Sequence, residues 1–136
     1  MEFKLKLMAE LDEALRPEVI IASSSSGIPS SQFVQKCRKS PQRILIGHPF
    51  NPPHIMPLVE VVPHPGTKAS IVEQTMSFYR KLNRRPVLIR QEIPGHVANR
   101  LQATLVAEAY SLVSRGVISS EDLGKISQKT SSLSVT

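Results

Sequence analysis

The sequence reads VIIASSSSG at residues 19–27 and ILIGHPFNPPHIMPLVEVV at residues 44–62. These stretches contain three short apolar runs, at residues 19–22, 44–47 and 58–62, and each run is typical of a strand buried on both faces. Apolar residues that recur every four positions predict a helix over residues 2–16. Helix, strand, helix and strand in succession predict an α/β fold with parallel strands.

The rest of the chain continues this alternation. In chain order the sequence predicts a short helix opening at Pro29, a helix capped by Thr67, a fourth strand at residues 86–90, a boundary at Pro94-Gly95, a long helix closed by Gly116, and a further helix capped within residues 119–122. From Gln128 the sequence becomes a tail rich in Ser and Thr, which we expect to be frayed because it has little to bury.

Composition restricts the class of protein. Seventeen Lys and Arg against eleven Asp and Glu give a net charge of +6, but these basic residues are dispersed. The densest basic group, at residues 80–85, fits either a solvated helix end or a contact with phosphate or nucleic acid. Aromatic residues make up only 4% of the chain, so a nucleic-acid partner is not expected. The single cysteine, the absence of a long apolar run and the acids near Met1 predict a cytoplasmic protein with no membrane partner.

Polar side chains follow two of the predicted strands. Residues 23–26 are four serines after the first strand, and His48 follows the second. Ligands bind at the carboxyl ends of the strands in open α/β sheets, so Ser26 and His48 are expected on one rim. A turn or helix cap remains the alternative for the serines, and a packed loop residue remains the alternative for His48.

Glu60 interrupts the apolar run at residues 58–62. A carboxylate there faces either solvent at a sheet edge or a partner inside, because an unpaired buried charge is costly. His48 is a candidate partner, and a His–carboxylate pair suits a general base that works near neutral pH. A metal site is a weaker alternative, since the four histidines lack metal-ligand spacing. A serine nucleophile is also weak, because no GxSxG pattern surrounds Ser26.

Four motifs occur in a characteristic order: ASSSSG at residues 22–27, GHPFNPP at 47–53, PLVEVV at 57–62 and PGHVANRL at 94–101. Over roughly residues 2–123 the chain resembles the 3-hydroxyacyl-CoA dehydrogenase family. The HPxNPP motif and the PLVEVVPHP run are most similar to the lambda-crystallin branch, which includes L-gulonate 3-dehydrogenase.

The resemblance implies an NAD-dependent oxidation of a 3-hydroxy acid or a 3-hydroxyacyl-CoA. It implies that His48 is the base that takes the hydroxyl proton, and that Glu60 orients this histidine. Ser26 matches a hydroxyl near both substrate and nicotinamide, and Asn99 matches an amide that binds the substrate oxygen. The implied cofactor-binding residues are Asn51, Ser26 and Lys4, and no metal is implied.

The resemblance also implies an organisation into two domains. Residues 1–93 would be the C-terminal part of a Rossmann-type NAD-binding domain with a mixed sheet. Residues 94–136 would be the start of an all-helical domain through which the complete enzyme forms a homodimer. None of the six glycines forms the GxGxxG pattern that holds a pyrophosphate, so we expect a fragment with little activity alone. A non-catalytic truncated product, or a partner of the complete enzyme, remains the alternative.

Overall fold

The structure, a computed structural model, describes residues 1–130 of the chain. They form two compact units, one spanning Met1–Asn99 and one beginning at Arg100. In chain order the elements are α1 Glu2–Ala14, β1 Ile21–Ser23, β2 Ile44–Pro49, β3 Leu58–Pro63, α2 Ala69–Lys81, β4 Arg85–Leu88, α3 Ala98–Ser114 and α4 Ser120–Thr130. The predicted α/β order is confirmed, with bounds that differ by a residue or two at several ends.

The four strands form one mixed sheet in the order β1-β2-β3-β4. β1 and β2 are parallel, as are β3 and β4, but β2 and β3 are antiparallel. The expectation that all strands run parallel is therefore wrong for the central pair, whereas the mixed sheet implied by the resemblance is correct. Residues 50–57 connect β2 to β3, and a parallel crossover needs about a dozen residues or more.

Both faces of the sheet are covered at β2 and β3, which explains the continuous apolar runs of these two strands. On one face, α1 and the segment that follows β1 pack against the sheet through Met8, Ile21, Phe33, Val34, Cys37, Ile44, Ile46 and Val62. On the other face, α2 packs against Leu45, Val59 and Val61. The core thus fixes which side chains of β2 and β3 face each layer, and with them the register of the two strands.

A buried ion pair anchors α1 to the sheet. The side chains of Asp12 and Arg43 are each 1% exposed, and their charged groups lie 3.1 Å apart. Arg43 also donates to backbone carbonyls beyond the end of α1, including that of Val19 at 3.1 Å. Burial alone would raise the pKa of Asp12, but backbone amides of Lys39 and Ser40 and the Arg43 guanidinium hold this pKa below its ordinary value.

The helix expected after Pro29 is only a single turn of 3₁₀ helix, Ser30–Gln32. One oxygen of the Glu92 carboxylate accepts hydrogen bonds from the Ser30 hydroxyl and the Ser31 amide, each at 3.2 Å. This carboxylate satisfies the orphan donors of the short turn, as an N-terminal cap does. Phe33, the residue that follows this turn, is completely buried in the core.

The predicted helix cap Thr67 is wrong. Helix α2 follows Lys68 and has no side-chain cap. The Thr67 hydroxyl instead accepts a hydrogen bond from the His64 amide and donates one to the carbonyl of Ile44, at 3.0 and 3.1 Å. The side chain that would have capped the helix thus ties the end of β3 to the start of β2.

In the second unit, the two predicted helix ends are confirmed. Gly116 has a φ of +70° just beyond α3, a conformation that favours glycine. The Ser119 hydroxyl accepts a hydrogen bond from the Asp122 amide at 3.1 Å and so caps α4. α4 continues to Thr130, three residues into the segment expected to be frayed, and the remainder of that segment lies outside the described residues. None of the helices in residues 1–130 has the length and apolar character needed to cross a membrane.

Candidate functional site

His48 and Glu60 lie directly opposite each other on the antiparallel strands β2 and β3. Opposed residues of such strands project to the same face of the sheet, so the register itself brings the two side chains together. His48 Nδ1 lies 3.0 Å from Glu60 Oε2, and the two residues are only 6% and 1% exposed. The structure thus brings together the predicted pair, and it places His48 within β2 rather than in the following loop.

The second oxygen of Glu60 is bound by the N-terminus of α3. Oε1 accepts hydrogen bonds from the backbone amides of Val97 and Ala98, both at 2.9 Å. A helix N-terminus favours a carboxylate because its amides and its dipole both stabilise negative charge. Burial alone would raise the pKa of Glu60, but these amides and the His48 ring bring it below its ordinary value, so Glu60 stays ionised near neutral pH.

An ionised carboxylate can only accept hydrogen bonds, and this fixes the tautomer of a neutral His48. Nδ1 carries the proton that is donated to Glu60, and Nε2 keeps its lone pair. Nε2 has no hydrogen-bond partner within residues 1–130. The ring packs edge-on against Phe50, with 6.1 Å between the ring centroids. His48 can therefore act as a base, because Nε2 is free to accept a proton and the Glu60 carboxylate beside Nδ1 can stabilise the positive charge that results.

The structure also brings together the predicted residues Ser26 and Asn99. The Asn99 amide Nδ2 donates to the backbone carbonyl of Ser26 at 2.6 Å, so their contact does not involve the serine hydroxyl. Ser26 is exposed and Asn99 is half-buried. One of the two N–H donors of Asn99 is therefore committed to the serine loop, residues 23–26, and the second N–H and the amide oxygen remain for other partners.

The remaining two predicted residues form no hydrogen bond with the histidine pair. Lys4, on α1, has its ammonium nitrogen 3.5 Å from the Ser23 hydroxyl at the end of β1, and 4.9 Å above the centre of the Phe33 ring. Asn51 is exposed in the loop that follows β2. Within residues 1–130, no group of three or more His, Cys, Asp or Glu side chains is arranged to hold a metal ion.

His96 also lies at the site, although it was not among the predicted site residues. It is completely buried, and its ring centroid lies 5.4 Å from that of His48. His96 Nε2 lies 2.8 Å from the backbone carbonyl of Ser25. The amides of Val97 and Ala98 were likewise not predicted as partners of Glu60. The available signal was the Pro94-Gly95 break directly before a long helix, since a helix that starts beside a buried carboxylate is a ready partner for it.

Comparison with known proteins decides the family. The domain family described as 3-hydroxyacyl-CoA dehydrogenase, NAD binding domain, matches residues 1–93. The chain belongs to the 3-hydroxyacyl-CoA dehydrogenase family. A 3-hydroxyacyl-CoA dehydrogenase of Gibberella moniliformis is 59% identical over 123 residues, and an L-carnitine dehydrogenase of Pseudomonas aeruginosa is 42% identical over 123 residues. Lambda-crystallin of Oryctolagus cuniculus is 40% identical over 124 residues.

These alignments cover 90% of this chain but only 38% of each relative. Two solved dehydrogenase structures share the fold. A 5-formyl-3-hydroxy-2-methylpyridine 4-carboxylic acid 5-dehydrogenase, described as an NAD⁺-dependent dismutase, superposes with a TM-score of 0.84 at 34% identity, over 91% of this chain and 40% of that chain. A 3-hydroxybutyryl-CoA dehydrogenase of Escherichia coli gives 0.80 at 30% identity, over 86% and 24%. The predicted family, Rossmann-type fold and NAD cofactor of the family are confirmed.

Proposed function

We propose that the complete protein oxidises the hydroxyl-bearing carbon of a 3-hydroxy acid or a 3-hydroxyacyl-CoA. The observation that carries this proposal is the free Nε2 of His48 with the ionised Glu60 held behind its other nitrogen. Bound NAD would supply the acceptor for the hydride that leaves the hydroxyl-bearing carbon. The hydroxyl proton goes to His48 Nε2, the C–O bond becomes a carbonyl, and the Glu60 carboxylate stabilises the imidazolium that results.

We infer separate roles for the other predicted residues. Asn99 would bind the substrate oxygen through the second hydrogen of its amide nitrogen, and Ser26 would lie between substrate and nicotinamide. Ser26, Asn51 and Lys4 would hold the nicotinamide end of NAD, because exposed polar groups and an ammonium gather near the carboxyl ends of β1 and β2.

The residues present fit only part of the cofactor. The 136 residues contain no GxGxxG turn, so they do not supply the close backbone approach that a pyrophosphate requires. We therefore propose that these residues alone turn over little or no substrate. Measurable oxidation of L-gulonate or a 3-hydroxyacyl-CoA with NAD by the 136-residue chain would refute this.

We also propose that residues 1–93 are part of the NAD-binding domain and that residues 94–136 begin the helical domain. The match of the NAD-binding family to residues 1–93 and the helices α3 and α4 beyond it support this division. In the complete enzyme that domain would form a homodimer. The substrate would be a small molecule in the cytoplasm, with neither nucleic acid nor membrane as partner, which agrees with a buried free thiol at Cys37.

The deciding experiment replaces His48 by Gln in the complete enzyme. Loss of general-base catalysis should lower kcat by about 10²- to 10⁴-fold. His54→Gln is a matched control, because His54 is exposed in the loop after β2 and should keep kcat within about twofold. A His48→Gln enzyme within a factor of about three of the wild type would remove His48 from this role.

The substrate class needs its own measurement. The names of the two relatives, L-carnitine dehydrogenase and 3-hydroxyacyl-CoA dehydrogenase, support a free hydroxy acid and a thioester respectively. The ratio of kcat/KM for L-gulonate, L-carnitine and 3-hydroxybutyryl-CoA would decide between them. A second candidate, a non-catalytic partner of the complete enzyme, is favoured by the missing glycine-rich turn, and co-purification of this chain with an active dehydrogenase would support it.

A further inference from the structure

Two features of His96 are energetically unfavourable, namely the burial of its polar ring and its backbone conformation. The side chain is completely buried, whereas its neighbour Val97 is exposed, and a buried polar ring is unfavourable unless it is hydrogen-bonded. Its φ is +51°, in the left-handed region that residues with a Cβ seldom adopt. Such a conformation persists only where the surroundings require it, and it is found most often at functional sites.

The hydrogen bond of His96 identifies the tautomer of its neutral ring. A carbonyl oxygen only accepts, so the Nε2 that lies 2.8 Å from the Ser25 carbonyl must carry a hydrogen. In the neutral ring, Nδ1 is then an acceptor, and this buried atom has no hydrogen-bond partner among the described residues. The polar contact that the structure assigns to His96 is therefore the one with the serine loop.

His96 belongs to a segment, residues 95–99, that holds three consecutive carbonyls next to the proposed catalytic pair. The Gly95 amide donates to Gly27 at 2.9 Å, the His96 ring to Ser25, and the Asn99 side chain to Ser26 at 2.6 Å. Two further amides of this segment, at residues 97 and 98, bind Glu60. One five-residue segment thus links the serine loop to the carboxylate that orients His48.

Within this segment, the side chain of His96 contacts both the serine loop and the proposed base His48. Its ring donates to the serine loop and also packs against the His48 ring, at 5.4 Å between centroids with a tilt of 52°. A change at this ring would move the loop relative to the base. Displacements of about 1 Å between a base and its substrate can lower the rate strongly.

We propose that His96 is a positioning residue, whose Nε2–H bond to the Ser25 carbonyl holds the serine loop in place beside the His48 ring. This role rests on the proposed dehydrogenase function. It predicts a larger effect on kcat than on substrate affinity, because the His96 ring is completely buried and contacts the serine loop and the base.

Three substitutions in the complete enzyme separate the donor from the ring. His96→Phe keeps an aromatic ring and removes the donor, whereas His96→Gln keeps an amide donor near the position of Nε2. We expect kcat to fall about five- to tenfold in the Phe variant, with the substrate KM within twofold, and to recover to within twofold of wild type in the Gln variant. If the Phe variant fails to fold, His96→Asn, whose shorter amide cannot reach Ser25, should reproduce the loss.

His64→Phe is the matched control. His64 is 9% exposed, and its Nε2 lies 3.1 Å from the Pro41 carbonyl, away from the serine loop. This variant should lower stability without changing kcat. A His96→Phe or His96→Asn enzyme with kcat within twofold of wild type would overturn the proposal, as would a Gln variant that is as slow as the Phe variant.

Hydrogen exchange separates this proposal from the proposed function. Amides of residues 24–28 should exchange faster in the Phe variant than in the wild type and the Gln variant. If the wild-type enzyme oxidises no hydroxy substrate, the proposed function fails, but unchanged exchange over residues 24–28 in the Phe variant would still overturn the positioning role.

Discussion

Replacing Glu60 by Gln tests the geometry of the site most directly. One carboxylate oxygen accepts two amide hydrogens, from Val97 and Ala98, so the amide oxygen of the substituted side chain must take that place to avoid leaving two buried donors unsatisfied. The NH₂ group of the new side chain then faces His48 Nδ1. Because this NH₂ group is a donor, Nδ1 must offer a lone pair to accept its hydrogen bond. The His48 proton must therefore move to Nε2, the nitrogen that should accept the substrate proton.

The expected magnitude follows from two effects. A hydrogen bond to a charged group contributes about 1.5–3 kcal/mol, and about 1.4 kcal/mol corresponds to a factor of ten. Loss of the charge behind the imidazolium should thus lower kcat about 10- to 150-fold. Reversal of the tautomer adds to this, and in a serine protease the equivalent carboxylate-to-amide exchange lowers kcat about 10⁴-fold. We therefore expect a loss of about 10²- to 10⁴-fold.

The assay is steady-state oxidation of the hydroxy substrate, followed by NADH absorbance with the complete enzyme at pH 7 to 8. Glu92→Gln is the matched control, because Glu92 also accepts two hydrogen bonds with a single oxygen, from Ser30 and Ser31, but faces no histidine. This control should keep kcat within about threefold of wild type. A Glu60→Gln enzyme that is no slower than the Glu92→Gln enzyme would show that the carboxylate does not set the state of His48.

Two further predictions concern stability, measured by urea denaturation. Gly47→Ala should destabilise the protein by about 1–3 kcal/mol, because the added methyl group would overlap the Tyr79 hydroxyl and lie 2.9 Å from the Tyr79 Cζ. Tyr79→Leu should relieve most of this loss. Equal losses of stability in the single and double variants would contradict the overlap. Asp12→Ala should cost about 3–5 kcal/mol at pH 7, because Arg43 keeps its buried charge without a partner. The pKa of Asp12 is lowered by folding, so its stabilisation is present above its ordinary pKa of 3.8 and is lost as the pH falls further. The difference between wild type and Asp12→Ala should therefore narrow below about pH 4, and a difference that stays constant down to pH 2 would contradict the assignment.

The pairing of His48 with Glu60 could be predicted from the sequence because it produces a recognisable local pattern. A single carboxylate inside the apolar run of β3 needs a partner, and His48 lies at the end of the neighbouring run. The topology that joins the two could not be derived from apolar runs alone. A strand buried on both faces has the same composition in parallel and antiparallel pairs, and only the short connection at residues 50–57 excludes the parallel arrangement.

Interactions between distant segments left no comparable sign. Asp12 and Arg43 are separated by a strand and several turns, and each alone fits an ordinary charged surface residue. His96 follows a Pro-Gly break and has the composition of a loop, so its complete burial depends on how the segment 95–99 packs on the serine loop. Thr67 shows the reverse case, since a residue with strong capping tendency is used by β2 and β3 instead.

The pairing of β2 with β3 has a consequence for how this site can change. The separation of His48 and Glu60 is set by the pairing of the two strands, and Phe50 extends this ladder by donating its amide hydrogen to the Leu58 carbonyl. A slip by one residue would turn one partner to the opposite face, so the core selects strongly against it. Residues 52–56 lie beyond the ladder, beyond the Phe50 ring that packs on His48 and beyond Asn51. These five positions can therefore gain, lose or exchange side chains while the proton acceptor keeps its geometry.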